Sequence, residues 1–147
     1  MMCKPRDVPT IFTRIINGDL PGNFVWRDTR CVAFMSINPM ADGHVLVVPI
    51  AEVDHWIDAE TDLISHLFTV AQTIGQAQQT VFACERIGLI VAGYEVPHTH
   101  LHVIPTTEIG ELSFERAAAH VAAESLSHHA GLIRAELLIR GHDEAAP

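Results

Sequence analysis

The chain has 147 residues, 48% hydrophobic and 18% charged, with a formal net charge of -9. That length suits one core, and the balance is that of an ordered globular protein rather than a disordered one. The negative charge argues against a broad nucleic-acid surface, which would need clustered Lys and Arg, and leaves room for a single nucleotide in a cleft. Cys3, Cys31 and Cys84 are odd in number and widely spaced, fitting neither a disulfide framework nor a Cys-x-x-Cys knuckle. Met1 to Asp7 carries no apolar leader, and no run approaches the ~20 apolar residues of a membrane span, so a cytoplasmic protein without membrane contact is expected.

In chain order, Ile11, Phe12, Ile15 and Ile16 give residues 10–17 the pattern of a short amphipathic helix stopped by Gly18, and Pro21-Gly22 turns the chain. Residues 24–27 and 31–37 read as two strands around the loop Asp28-Thr29-Arg30, with Asn38-Pro39 ending the second. His44 to Pro49, entered through Asp42-Gly43, is apolar enough for a central strand buried on both faces. From about Thr61 to Glu85, Leu63, Leu67, Val70, Ile74, Ala77 and Val81 recur at helical spacing, with Gln72, Gln76, Gln78 and Gln79 at the polar positions. His55 and His66 read as surface residues near or on that helix. Residues 87–92 and 98–104 read as two further strands separated by Gly93-Tyr94-Glu95-Val96-Pro97, and the Ala-rich tail from Ser113 to Arg140 as helical, broken near Gly131. The expected architecture is α+β: a five-stranded, mostly antiparallel sheet with one long helix, a short N-terminal helix and a helical C-terminal tail. It forms a single domain over 1–147, with its core at about 9–110 and an extension at about 113–140.

Alternate side chains of a strand share a face, so His98, His100 and His102 form a row with neighbours about 6.5 to 7 Å apart. Three imidazoles on one face of a core strand bring polar nitrogens that need partners, so that face lines something polar. Bare exposure on an edge strand explains a lone His better than three in strict alternation. His-x-His on a strand is also a workable zinc arrangement, with Glu95 and Glu108 near in sequence. The remaining reading is covalent catalysis, in which an imidazole nitrogen attacks phosphorus while its neighbours fix its tautomer and bond phosphate oxygens. Spacing alone does not assign those roles.

The run His98-Thr99-His100-Leu101-His102-Val103-Ile104 resembles the signature of the histidine triad (HIT) family, His-x-His-x-His followed by two apolar residues. Pro9 to Phe12, Ile15 to Pro21, Ile37-Asn38-Pro39 and Gly43 to Pro49 are similar to earlier blocks of the family, in order, closest to its nucleotide-binding protein branch. The resemblance implies a nucleotide hydrolase or nucleotidyl transferase acting on a nucleoside monophosphate ester, amide or anhydride, phosphoramidase-like and suited to purine nucleotides. It implies His100 as the nucleophile, with His98 and His102 orienting it and contacting phosphate and His44 in support. It implies Ile11, Phe12, Ile15, Phe34 and Ile37 as walls of a base and ribose pocket, with Ser36, Asn38, Gly93 and Glu95 also at the substrate. It further implies a homodimer that builds a ten-stranded sheet through the long helix and the strand before the triad, and no cofactor.

Several positions depart from the family. Ser36 stands where an Asp accepts bonds from ribose, residues 92–97 replace a phosphate-contacting loop, and Glu95 falls near a phosphate-binding Ser. Thr10 and Thr13 take the places of a Cys-x-x-Cys pair, so no metal is expected there. Two alternatives therefore stand beside the leading function: a dinucleoside polyphosphate hydrolase or phosphorylase, and a catalytically weak nucleotide-binding regulatory module.

Overall fold

A computed structural model describes residues 8–146; Cys3 and the expectation of no leader over Met1 to Asp7 lie outside them. Five strands, β1 (Phe24–Arg27), β2 (Cys31–Met35), β3 (Val45–Pro49), β4 (Arg86–Ile90) and β5 (Leu101–Thr106), form one sheet in the order β1-β2-β3-β5-β4 with every neighbouring pair antiparallel. Helix α1 (Ile11–Ile16) packs on one face; α2 (Thr61–Val81) and α3 (Ala123–Ile139) belong to the core of the other. No described helix is long and apolar enough to cross a membrane.

Strands β2 and β3 are buried along their whole length, and alternation divides their side chains between two cores. Cys31, Ala33, Met35, Val45 and Val47 join Leu67, Val70 and Ile74 of α2 and Ile133 and Leu137 of α3. Val32, Phe34, Leu46 and Val48 face the other way and form a smaller core with Phe12. The registers Val45↔Val103 and Leu46↔His102 send Leu101 and Val103 to the first core and His102 to the second face.

Several local expectations are corrected. Helix α2 stops at Val81 rather than near Glu85, because Phe82 is extended and its ring packs against Gly43. A Cβ on Gly43 would lie 2.5 Å from that ring, and its φ of +87° is one that glycine adopts freely. Gln78, read as an outward polar residue, is fully buried and donates through Nε2 to the Gly43 and Val103 carbonyls at 2.9 Å each. His66 is half-buried and bonds Asp28 at 2.7 Å. Asp28 also accepts from Trp26 Nε1 and the Arg30 and Cys31 amides; these bonds outweigh burial and bring its pKa down to about 2.

The tail is helical only from Ala123, and Gly131 sits inside α3 without breaking it. Residues 112–122 instead form an irregular strap. Its backbone is taken by distant partners: Ala118 N–H donates to the Pro39 carbonyl, and Asn38 Nδ2 donates to the carbonyls of Ala118 and Ala119. Those bonds override the helical preference of the alanines.

Candidate active site

The three histidines lie on the small-core face, but the strand beneath them is shorter than expected. β5 begins at Leu101, and residues 98–100 are outside the ladder. The β3–β5 pairing ends at Val47↔Leu101; two residues on, Pro49 has no N–H to continue it. The Pro49 carbonyl is bonded instead by His98 Nε2 at 2.7 Å. Phe12 of α1 meets His98 and His100 edge-on, with ring centroids 5.7 and 4.9 Å away, and His100 lies 4.8 Å from His102.

Burial governs the charge of the cluster. His44, His98, His100 and His102 are 1%, 0%, 3% and 4% exposed. Desolvation is the largest cause of the lowered pKa of each, taking His44 to about 3 and His102 to about 4 and moving His98 and His100 downward. On His100 that fall is opposed by the bond to the His98 backbone and the negative charge of Glu95. Near neutral pH the rings are therefore uncharged, each with one N–H and one lone pair.

The hydrogen bonds then fix where each proton sits. Met40 N–H donates to His44 Nδ1 at 3.0 Å, so His44 carries its proton on Nε2. That proton goes to His102 Nδ1 at 2.9 Å, so His102 carries its own on Nε2, where the buried N–H has no partner among the described residues. His98 Nε2 donates to the Pro49 carbonyl, which has no proton to give, leaving Nδ1 to accept from the Thr10 hydroxyl at 2.6 Å. His100 Nδ1 donates to the His98 carbonyl at 2.7 Å, so its Nε2 keeps a lone pair that nothing among the described residues engages. An unused lone pair and an unused N–H thus stand on adjacent rings.

His100 and His102 border a cavity of about 610 Å³. Ile11, Phe12, Ile15, Phe34, Ser36, Ile37, Asn38 and Glu95 line it with His44, His100 and His102. Ile11 and Ile37 lie at the surface and Phe12 and Phe34 in the interior. His98 is not on the wall; its ring is buried and bonded at both nitrogens. Gly93, with φ of +89°, borders a second space of about 310 Å³ that His100 also lines, beside Trp56, Tyr94 and Thr99. The zinc alternative for the row meets a geometric obstacle, since both ring nitrogens of His98 and His44 and one each of His100 and His102 are already bonded. Glu108 lines a separate space and faces Arg116.

Sequence reasoning missed the wall made by the strap. Phe114 meets His102 edge-on at 5.2 Å, and Ala117, Ala118 and Ala119 continue that side of the cavity. An isolated aromatic in an alanine-rich stretch was the available signal. Asn38 stands at the cavity, but its amide nitrogen holds this strap. Ser36 Oγ accepts the Asn38 backbone N–H at 3.3 Å.

Comparison with known proteins bears on the same residues. The HIT domain family profile matches residues 17–109. An uncharacterized HIT-like protein of Methanocaldococcus jannaschii is 33% identical over 67% of this chain and 79% of its own length. The asymmetrical bis(5'-nucleosyl)-tetraphosphatase of Schizosaccharomyces pombe is 34% identical, over 54% of this chain and 47% of its own. The crystal structure of a HIT-like protein of Bartonella henselae, described as involved in cell-cycle regulation, superposes with a TM-score of 0.80 at 30% identity, covering 90% of this chain and 99% of that one. The matched span holds all three histidines, His44 and every strand of the sheet, and the chain belongs to the HIT domain family.

Proposed function

We propose that the protein is a nucleotide hydrolase or nucleotidyl transferase that cleaves a nucleoside monophosphate ester, amide or anhydride through a nucleotidyl adduct on His100. The observation that carries the reading is the hydrogen-bond chain that leaves His100 Nε2 with a free lone pair beside the unpartnered N–H of His102. In the first step the Nε2 lone pair forms a bond to phosphorus and the bond to the leaving group breaks, its electron pair departing with that group. His102 Nε2–H donates to a phosphoryl oxygen as negative charge builds there. The Nδ1–H bond to the His98 carbonyl strengthens as His100 becomes cationic. In the second step water attacks phosphorus, the phosphorus–nitrogen bond breaks and the lone pair returns to Nε2; Glu95, on the cavity wall, is a carboxylate placed to take the proton of the water.

The apolar part of the cavity suits a base and ribose, with Ser36 near the sugar. A second reading, a dinucleoside polyphosphate hydrolase, is favoured by His100 bordering more than one space at once and by the name of the S. pombe relative. We also assign dimerisation to α2 and the open edge of β4, where Phe68 and Leu89 are each 42% exposed, and place the protein in the reducing cytoplasm, where Cys31 and Cys84 stay free thiols. Light scattering on the purified protein tests the dimer.

The deciding experiment incubates the protein with nucleoside phosphoramidates and dinucleoside polyphosphates and follows intact mass. A nucleotidyl adduct is expected that His100→Ala abolishes. Full activity in His100→Ala overturns the mechanism, and tight binding without turnover favours a regulatory module.

A further inference from the structure

We propose that Glu52, Thr10 and His98 form a positioning relay that holds the carbonyl to which His100 is hydrogen-bonded, and through it the aim of His100 Nε2. The inference rests on the reading of His100 as nucleophile. The relay joins three segments distant in sequence: the start of α1, the turn after β3 and the loop before β5. One oxygen of Glu52 accepts the Thr13 hydroxyl at 2.6 Å and the Thr10 amide at 2.8 Å. The Thr10 hydroxyl donates to His98 Nδ1 at 2.6 Å, and His98 Nε2 donates to the Pro49 carbonyl at 2.7 Å. The His98 carbonyl then receives His100 Nδ1–H at 2.7 Å, while His98 N–H is held by the Val96 carbonyl at 2.8 Å.

Each proton in this chain has one destination. The Pro49 carbonyl can only accept, so His98 must donate from Nε2 and accept at Nδ1, and the single proton of the Thr10 hydroxyl goes there. A ring held at both nitrogens cannot turn without losing two buried bonds. His98 is outside the ladder, so its backbone has no strand partner to fix it, and the side-chain bonds substitute for the missing register. Thr10 is 7% exposed, and neither it nor Glu52 borders any of the spaces beside His100. These two act through His98 and are positioning residues; His98 itself serves the reaction from behind the cavity wall.

The test compares Thr10→Val, Thr10→Ser and Glu52→Ala with the parent, using a nucleoside phosphoramidate as substrate and side-chain nitrogen NMR to read the His98 tautomer. In the parent, His98 is expected to be protonated at Nε2 alone. Thr10→Val should lower kcat about tenfold or more with KM within about twofold, because the aim of the nucleophile changes and the cavity does not. Its Nδ1 resonance should move as the hydroxyl donor is lost. Thr10→Ser keeps the hydroxyl and should restore both the resonance and kcat. Glu52→Ala, which leaves the Thr10 hydroxyl in place, should lower kcat by a smaller factor. A Thr10→Val protein with parental kcat, or one whose loss appears only in melting temperature, overturns the relay; should that variant fail to fold, Glu52→Ala with parental kcat and parental His98 resonances overturns it equally. If no adduct forms on His100 in the parent, the reading of function fails instead, and the His98 resonances still report whether the relay exists.

Discussion

Lowering the pH from 7 to 5 should destabilise this protein through its buried histidines alone. A histidine that stays neutral when folded and protonates when unfolded binds fewer protons in the native state. Its contribution is therefore fully present above the unfolded value of about 6.5 and is lost as pH falls toward the folded value. Burial takes His44 to about 3 and His102 to about 4, so both stay neutral in the native protein down to pH 5 while the unfolded chain protonates. Each then costs about 2 kcal/mol between pH 7 and 5, and the pair about 4 kcal/mol, with His98 and His100 adding in the same direction. Asp28, Glu52 and Glu111 are held below their ordinary values and remain ionised throughout this window. Urea unfolding at pH 7, 6 and 5 measures the slope. His44→Phe removes one titration while leaving Met40 N–H and His102 Nδ1 unmatched, at about 1–3 kcal/mol for each at pH 7. The variant should start less stable and lose about 2 kcal/mol less than the parent on acidification. Unfolding free energies that stay flat from pH 7 to 5, or a parental slope in His44→Phe, refute the neutral, buried row.

Phe114→Ala removes the ring facing His102 and should raise KM several-fold while kcat changes little, read by steady-state hydrolysis; a kcat loss at unchanged KM contradicts a wall role. Gln78→Met keeps the bulk of the side chain but takes the buried amide donor from the Gly43 and Val103 carbonyls, and thermal unfolding should show a loss of about 2–4 kcal/mol. Asp28→Asn weakens the acceptor shared by Trp26 and His66. Because the folded pKa of Asp28 is depressed to about 2, its stabilisation is present above the unfolded value and fades as pH drops through the folded one. The variant should thus be less stable than the parent at pH 6 by about 1–2 kcal/mol and nearly equal to it near pH 2, in urea titrations.

The parts legible in the sequence are those written locally. The continuous apolar run Val45–Val48 and the helical spacing of Leu67, Val70 and Ile74 needed no tertiary information, and both elements stand where those patterns put them. The blocks at Pro9 to Phe12 and Ile37 to Pro39 and the triad run contribute Ile11, Phe12, Ile37, Asn38, His100 and His102 to one cavity, because a short motif carries its own spacing. Distant partners decided the rest. Gln78 looks like an outward amide until the Gly43 and Val103 carbonyls are placed beside it. Residues 98–100 alternate like a strand, yet the ladder gives out opposite Pro49 and a side-chain bond takes its place. The alanines at 117–119 favour helix intrinsically and lose it to Asn38 and Pro39, some eighty residues earlier. Thr10, seen only as the replacement of a cysteine, turns out to reach His98.

The strap carries a consequence for how such proteins diverge. The family profile ends at residue 109, before Phe114 and the three alanines that close one side of the cavity. The histidine row and one wall of the chamber around it are thereby encoded in separate stretches of the chain, joined by the bonds from Asn38 to the Ala118 and Ala119 carbonyls. Exchange of the C-terminal segment between relatives would reshape that wall in one recombination event and leave the histidines untouched.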